Sequence, residues 1–279
     1  MAEEIYFWEG EWQANEPRLG LNRAFRFGDG LFETIRITEG KAPLWTQHLE
    51  RLKQSALILK LDLPKNFTTT LNNILFDLLE KPAFRSSIFR IWIFRSGKGK
   101  YTPETNSASF VCKAETLPAQ KNDNTQHGLI IDLCETVTLT ADTLSNLKSL
   151  NSLIYVMAAI EKSEKGFDEL LLRNQKGELV EGTSTNLFIV KKKAIYTPPL
   201  SSGALDGVMR KQIIQVAKRL GFSVSEESIS QEALESADEV FLSNAVSGIQ
   251  WVKAFRKRRY LHQLSNVLSS KLYSSAPKV

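Results

Sequence analysis

Apolar positions along this chain repeat with two different periods, which together predict a mixture of strands and helices. Over 31–37 apolar and polar residues alternate, which is typical of a half-buried strand. Over 44–60 apolar residues recur every three or four positions, which predicts a helix. Similar patterns predict strands at 4–9, 88–95, 109–114, 129–133, 169–173, 186–190, 194–196 and 239–242, and helices at 67–79, 149–165, 208–220 and 261–272. Because the two types do not alternate regularly, the pattern predicts an α+β fold.

A turn-rich stretch without apolar periodicity, 117–126, predicts a linker between two domains. We therefore expect an amino-terminal α+β domain at 1–116 and a carboxyl-terminal α+β domain at 127–279. A chain of 279 residues is long enough for two such cores. No apolar run approaches the roughly 20 residues of a membrane span, so no membrane partner is expected.

The charged residues, cysteines and histidines indicate the expected compartment and argue against metal and nucleic-acid binding. Cys112 and Cys134 fall in apolar strand-like runs, and the acidic amino terminus lacks the apolar region of a signal peptide. We therefore expect buried free thiols in a cytoplasmic protein. The three histidines are scattered, so no metal site is expected. The densest basic run, 256–259, has no interleaved aromatic residues, which favours a solvated surface over nucleic-acid binding despite the net charge of +5.

Two residues of the carboxyl-terminal half are candidates for catalysis. Lys148 has apolar neighbours and stands at the predicted start of a helix. Desolvation favours the unprotonated amine, which is the form that acts as a nucleophile. Glu181 precedes a loop of small polar residues, 182–186, where a carboxylate could also be a helix cap or a surface group.

These motifs, Lys148-Ser149-Leu150-Asn151 and Glu181-Gly182-Thr183-Ser184-Thr185-Asn186, resemble those of the class IV aminotransferase family. This family of fold type IV enzymes includes branched-chain and D-amino acid aminotransferases and aminodeoxychorismate lyases. The resemblance, which runs from about residue 4 to residue 275, implies pyridoxal 5′-phosphate as cofactor. Lys148 would be the catalytic residue and would hold the cofactor as a Schiff base. Glu181 would keep the pyridine nitrogen protonated, so that the ring acts as an electron sink.

The resemblance also assigns phosphate contacts and quaternary structure. His48-Leu49-Glu50-Arg51-Leu52 matches the family's phosphate-binding helix, and Gly207 opens a helix whose N–H groups favour an anion. Asp206 is the expected N-cap of that helix. The implied cofactor contacts beyond Lys148 and Glu181 are Arg51, Val208, Met209, Asn244 and Ala245. The family also implies a cofactor cleft between the two domains and a homodimer in which loops such as 96–101 complete the neighbouring site.

The resemblance implies a small-molecule substrate that carries an amino group and a carboxylate. The residues implied to bind it are Phe32, Arg90 and Lys100. Phe32 would form an aromatic wall, and either Arg90 or Lys100 would bind the carboxylate. The Lys148–Asn151 segment and Ser243-Asn244-Ala245 look more like those of 4-amino-4-deoxychorismate lyases, which release pyruvate and 4-aminobenzoate. Arg90 argues against a lyase, because the lyases usually have a lysine at the corresponding position. An amino acid transaminase for branched-chain or D-amino acids is therefore the alternative.

Overall fold

The computed structural model describes residues 3–15, 22–117 and 127–272. They form two compact units, each with helices and strands, which confirms the α+β class. The first unit contains the described residues up to 117 together with Lys148–Asn151, and the second contains the described residues of 127–147 and 152–272. The predicted linker at 117–126 lies, beyond its first residue, outside the described residues.

The first unit is built on an antiparallel sheet with strand order β2-β1-β5-β4-β3. Its strands are β1 (Glu4–Trp8), β2 (Glu11–Gln13), β3 (Gly30–Ile37), β4 (Ser87–Arg95) and β5 (Ala108–Thr116). Its helices are α1 (Arg23–Phe27), α2 (Trp45–Ile58) and α3 (Phe67–Leu79). The alternation in β3 buries Leu31, Ile35 and Ile37, while α2 packs against this strand with Leu49, Leu52 and Ala56 buried.

The segment Lys148–Asn151 belongs to the first unit, although the sequence pattern placed it in the carboxyl-terminal domain and its last three residues in a helix. The N–H of Phe32 donates to the carbonyl of Lys148 at 2.9 Å, and the N–H of Leu150 donates to the carbonyl of Gly30 at 3.0 Å. These bonds hold the segment against the β3 edge, so the predicted helix at 149–165 begins only at Leu153. Both predictions were wrong at this segment because its pairing partner is more than 100 residues away.

The second unit contains nine strands in its described part, in the order β11-β10-β9-β12-β13-β6-β7-β8, with β14 on β13. They are β6 (Leu129–Leu133), β7 (Glu169–Arg173), β8 (Leu179–Gly182), β9 (Asn186–Lys191), β10 (Ala194–Thr197), β11 (Val224–Glu226), β12 (Glu239–Asn244), β13 (Gly248–Phe255) and β14 (Arg258–Arg259). Strand β8 also pairs with β9 through Glu181 and Asn186. Six strands, β9-β12-β13-β6-β7-β8, therefore form a closed ring.

Four α-helices accompany this ring in the described residues: α4 (Leu153–Lys165), α5 (Val208–Arg219), α6 (Gln231–Glu235) and α7 (Gln263–Lys271). One core cluster includes Ile131, Leu187 and Val252, all buried. A second cluster includes Leu170, Leu172 and Ala158, so β7 contributes to both clusters with alternate residues.

The expectations for the two cysteines and for the basic run can be compared with the described residues. Cys112 and Cys134 are buried free thiols, as predicted. Arg256, in the basic run, is half-exposed and pairs with Asp132 at 3.0 Å, which is consistent with a surface role. Among the described residues no helix is long and apolar enough to cross a membrane, and no group of three metal-ligating side chains occurs.

Candidate active site

In the first unit, Lys148 lies over an aromatic ring. Its Nζ is 4.2 Å from the centroid of the Phe32 ring. Phe32 is paired with Trp92, and Thr34 with Arg90, so these four residues share one face of the sheet. The predicted substrate residues Phe32 and Arg90 are therefore on the same face, and Lys148 is beside the first of them.

The two predicted substrate cations are in different environments. Arg90 Nη1 donates to Glu115 Oε2 at 2.7 Å, and Lys113 Nζ is 3.6 Å from the same oxygen and 2.8 Å from Glu4 Oε1. Arg90 is thus part of a chain of ion pairs across the sheet. Lys100 is exposed in the loop that joins β4 to β5. The structure does not bring Arg90 and Lys100 together.

Arg51, the predicted phosphate ligand, is buried on α2 and bound to a carboxylate. Its Nε donates to Glu33 Oε1 at 2.7 Å, and its Nη2 donates to Glu33 Oε2 at 2.6 Å. His48 Nδ1 is 2.7 Å from the same Oε2. Because this carboxylate only accepts hydrogen bonds, Nδ1 of His48 is the donor. Glu33 was not predicted, yet the sequence held a signal: an acidic residue at an inward position of an alternating strand.

The ionisation of this buried cluster follows from its contacts. Burial acts to raise the pKa of Glu33, but the charge of Arg51 and the hydrogen bonds that Arg51 and His48 donate outweigh it and lower the pKa to about 2. Burial lowers the pKa of His48, which favours its neutral form, although Glu33 opposes this shift. Glu33 and Arg51 therefore form a buried ion pair on which the orientation of the Arg51 guanidinium depends.

In the second unit, Glu181 is buried on β8, and each carboxylate oxygen accepts a hydrogen bond. The Tyr155 hydroxyl donates to Oε1 at 2.6 Å, and the N–H of Leu205 donates to Oε2 at 2.9 Å. Burial, together with the charge and hydrogen bond of Glu181, raises the pKa of Tyr155, so the phenol stays protonated and remains a donor. The surface alternative for Glu181 is excluded by this burial, and its backbone donor, Leu205, lies outside the helices, which argues against a capping role. Tyr155 was missed because nothing local marks it as a partner of Glu181.

Asn186 connects two of the predicted phosphate-binding segments. Its Nδ2 donates to the Ser243 carbonyl at 2.7 Å and lies 3.0 Å from the Ser243 Oγ, at the end of β12. At the start of α5, a Cβ on Gly207 would collide with Asn186 Oδ1, so only glycine allows this approach. The first residues of α5 and the last residues of β12 therefore meet at one asparagine.

The N-terminus of α5 differs from the expected capping. Its N-cap is Gly207, without a side-chain cap, and the Asp206 carboxylate instead pairs with Lys211. The prediction of Asp206 as N-cap was wrong because the chain enters the helix one residue later. The side chains of Val208 and Met209 are buried, so these residues can offer an anion only their backbone N–H groups.

Asn244 is the last residue of β12, and Ala245 begins the turn that leads to β13. Asn244 Oδ1 accepts hydrogen bonds from the N–H groups of Val246, at 3.0 Å, and Ser247, at 2.7 Å. The Asn244 side chain therefore shapes the turn.

Taken separately, the two units contain residue types that suit pyridoxal phosphate. The first contains an amine beside an aromatic ring and a buried arginine held by a carboxylate. The second contains a buried carboxylate with two donors and a helix N-terminus without a side-chain cap. These donor and acceptor types fit a phosphate, a pyridinium nitrogen and an aldehyde.

Comparison with known proteins identifies the class of enzyme. Residues 30–255 match the family described as amino-transferase class IV, so the chain belongs to this family. Enzymes of this family depend on pyridoxal phosphate and act on small amino acid substrates, which confirms the predicted enzyme class and cofactor.

The relatives of this chain differ in their reactions. Aminodeoxychorismate lyase of Vibrio harveyi is 28% identical over 245 residues, which cover 87% of this chain and 89% of that protein. D-alanine aminotransferase of Bacillus licheniformis is 28% identical over 233 residues, which cover 82% and 79%. The crystal structure of 4-amino-4-deoxychorismate lyase from Pseudomonas aeruginosa is 28% identical, with a TM-score of 0.82 over 94% of this chain and 96% of that one.

Proposed function

We propose that this enzyme is a 4-amino-4-deoxychorismate lyase that releases pyruvate and 4-aminobenzoate. The observation that carries the proposal is the compact segment Lys148–Asn151, which pairs with β3 and leaves only two residues between the lysine and the asparagine. The resemblance implies a longer, glycine-containing stretch in branched-chain aminotransferases. Two relatives that are similar over most of their length are lyases, and others of equal or higher identity are aminotransferases, so the comparisons are compatible with either reaction.

The proposed cofactor contacts come from the residues described above. Arg51 and the backbone N–H groups of Val208 and Met209 bind the phosphate, together with the backbone of Asn244 and Ala245. Glu181 binds the ring nitrogen, and the hydrogen bonds from Tyr155 and Leu205 stabilise its ionised form. When bound, the cofactor supplies an electron sink that stabilises negative charge at the substrate α-carbon.

Lys148 would then carry protons during the reaction. Its Nζ would hold the cofactor in the resting enzyme and, once the substrate amine has replaced it there, would remove the proton from the substrate α-carbon. The Phe32 ring, 4.2 Å from Nζ, limits access of water to the amine. Lys100 or Arg90 binds a substrate carboxylate, and the exposed position of Lys100 favours the loop residue.

Labelling of Lys148 tests the cofactor assignment. The purified enzyme with pyridoxal phosphate should be yellow, and borohydride should attach the cofactor to the peptide that contains Lys148. Lys148→Ala should abolish both labelling and turnover, whereas Lys53→Ala, at an exposed position on α2, should leave them unchanged. Labelling of any other lysine would refute the assignment.

The alternative function is transamination, supported by the similarity to a D-alanine aminotransferase. The same lysine would take up and return the α-proton. The amino group would leave the substrate α-carbon, with water supplying the oxygen of the 2-oxo acid and the cofactor retaining the nitrogen, while the carbon skeleton of the substrate stays intact. The two functions separate in one assay. A lyase given 4-amino-4-deoxychorismate alone should form pyruvate and 4-aminobenzoate over many turnovers, with no 2-oxo acid consumed. Robust transamination of D-amino or branched-chain amino acids without pyruvate from that substrate would overturn the lyase.

The proposal includes a homodimer, and the surface of α4 supports it. Leu153, Val156, Met157 and Ile160 are between 41% and 67% exposed. They follow the spacing i, i+3, i+4, i+7, so they form one stripe along the helix. A continuous apolar stripe on a solvent-facing helix is typical of a protein interface.

A further inference from the structure

A buried arginine holds the backbone of the loop between β4 and β5. Arg23 Nη1 donates to the carbonyls of three consecutive residues, Lys98 and Gly99 at 3.4 Å each and Lys100 at 2.7 Å. Its side chain is only 4% exposed, whereas those of Lys98 and Lys100 are exposed. The loop is therefore fixed from inside the unit, while its lysine side chains face solvent.

The arginine is itself fixed by a second network. Arg23 Nε donates to Asp29 Oδ2 at 2.8 Å, and Arg95 Nε donates to the same oxygen at 3.0 Å. Arg95 Nη1 and Nη2 also donate to the carbonyls of Lys60, at 3.0 Å, and Leu59, at 2.6 Å. Asp29 thus joins the start of β3 to the end of β4. Arg23 connects this hydrogen-bonded network to the loop.

The loop has a conformation of its own that depends on glycine. Gly99 has φ of +96°, and a Cβ there would collide with the carbonyl of Thr102. The N–H of Lys98 donates to Glu104 Oε2 at 3.2 Å, which closes the loop. Tyr101 is 89% exposed, and its ring centroid is 5.7 Å from that of Phe27, over which Arg23 also lies.

We propose that Arg23 is a positioning residue that presets the loop 98–101, so that Lys98, Lys100 and Tyr101 are ordered to meet a carboxylate-bearing substrate. The inference rests on the proposed function, because it assumes that this loop contacts substrate. An exposed loop that contains Gly99 and follows Gly97 would otherwise lose much conformational freedom when it binds, and prior ordering removes that cost. Only the guanidinium has the planar, multiple donors that reach three carbonyls and Asp29 together.

Arg23→Lys tests the proposal, because it keeps the charge and loses the fork of donors. We expect KM for the substrate to rise about tenfold, with kcat and the affinity for pyridoxal phosphate within about twofold of wild type. Trypsin should cut after Lys98 and Lys100 faster than in wild type, because the loop is released. The matched control is Arg258→Lys, an arginine of the second unit that also donates to a backbone carbonyl. It should change neither readout.

A second variant, Gly99→Ala, distorts the loop through its own backbone and leaves Arg23, Asp29 and Arg95 unchanged. It tests the role of the loop even if Arg23→Lys does not fold. It should raise KM and tryptic cleavage in the same way. Faster cleavage with unchanged KM would overturn the role in substrate binding, and unchanged cleavage would overturn the role in ordering the loop. A wild-type enzyme that lacks lyase and transaminase turnover would instead refute the proposed function, and the substrate role of the loop with it.

Discussion

Glu33 is a fully buried carboxylate whose two partners, Arg51 and His48, come from the same face of α2. Burying this charge is costly, and the arginine compensates for that cost only because both of its donors reach the carboxylate. Loss of one partner would leave the other charge buried alone, which typically costs about 3–5 kcal/mol. The cluster is therefore important for stability as well as for the placement of Arg51.

Stability in acid should depend on Glu33. Its folded-state pKa of about 2 lies below the ordinary value of 4.5, so its contribution is complete above pH 4.5 and is lost as pH falls towards 2. The difference corresponds to roughly 3 kcal/mol. In urea unfolding, Glu33→Gln should therefore be least stable relative to wild type near pH 7, with a difference that shrinks below pH 4. Glu50→Gln, at an exposed position on α2, is the control. A constant difference across this range would contradict the prediction.

Arg51→Ala should weaken cofactor binding. A charge-assisted contact to phosphate contributes roughly 1.5–3 kcal/mol, so the affinity for pyridoxal phosphate should fall about 10- to 100-fold. Titration of the apoenzyme, followed by the absorbance of the bound cofactor, measures this change. Lys53→Ala removes a charge from the same helix and should keep wild-type affinity. Wild-type affinity in Arg51→Ala would place the phosphate ligand elsewhere.

At the scale of elements, local patterns predicted those elements whose apolar face has a regular period. Helix α3 and strands β6 and β7 coincide with the predicted ranges. Strand β8 was not predicted because it is only four residues long and buried throughout, so it has no alternation. The start of α4 was placed too early because Leu150 and Leu153 fit a helical spacing, whereas the observed pairing of this segment is with β3.

In the candidate site, too, some residues could be predicted from the sequence and others could not. Motifs could identify Lys148, Arg51 and Glu181 because their neighbours in sequence are distinctive. Tyr155, Glu33 and Arg23 could not be assigned to partners, since each acts on a residue that only the folded chain brings near. Residue types at the site were therefore predictable, but the hydrogen bonds that orient them were not.

The start of α5 offers a test at this scale. In Gly207→Ala the new Cβ would push Asn186 away from the helix start and disturb the N–H groups offered to phosphate. Cofactor affinity should fall at least about tenfold in an apoenzyme titration. Gly177→Ala, in the turn before β8, places its Cβ where nothing lies within 4 Å. That control should lose some stability, because Gly177 has φ of +79°, and keep its affinity. Equal affinities in both variants would exclude α5 as the phosphate site.

At the scale of the whole molecule, the apolar stripe on α4 predicts association of two copies. A charge placed in the middle of such an interface would lose its hydration without gaining an opposite charge, which weakens association. Met157→Asp should therefore shift the protein from dimer to monomer in light scattering at micromolar concentration. Phe76→Asp, at an isolated exposed position on α3 that is 65% exposed, should not change the mass. A monomeric wild type, or a dimeric Met157→Asp, would contradict the assignment of this face.

The closure of the six-strand ring has a consequence for aggregation. β8 and β9 are joined at Glu181 and Asn186; the first is proposed to bind the cofactor, and the second connects two of the predicted phosphate-binding segments. If this joint opened, β8 and the start of β9 would each present unpaired backbone groups, and such strand edges are templates for pairing with other chains. A bound cofactor, by favouring the closed joint, would protect against that misassembly. We therefore expect the protein without bound cofactor to precipitate more readily at high concentration than the cofactor-bound enzyme.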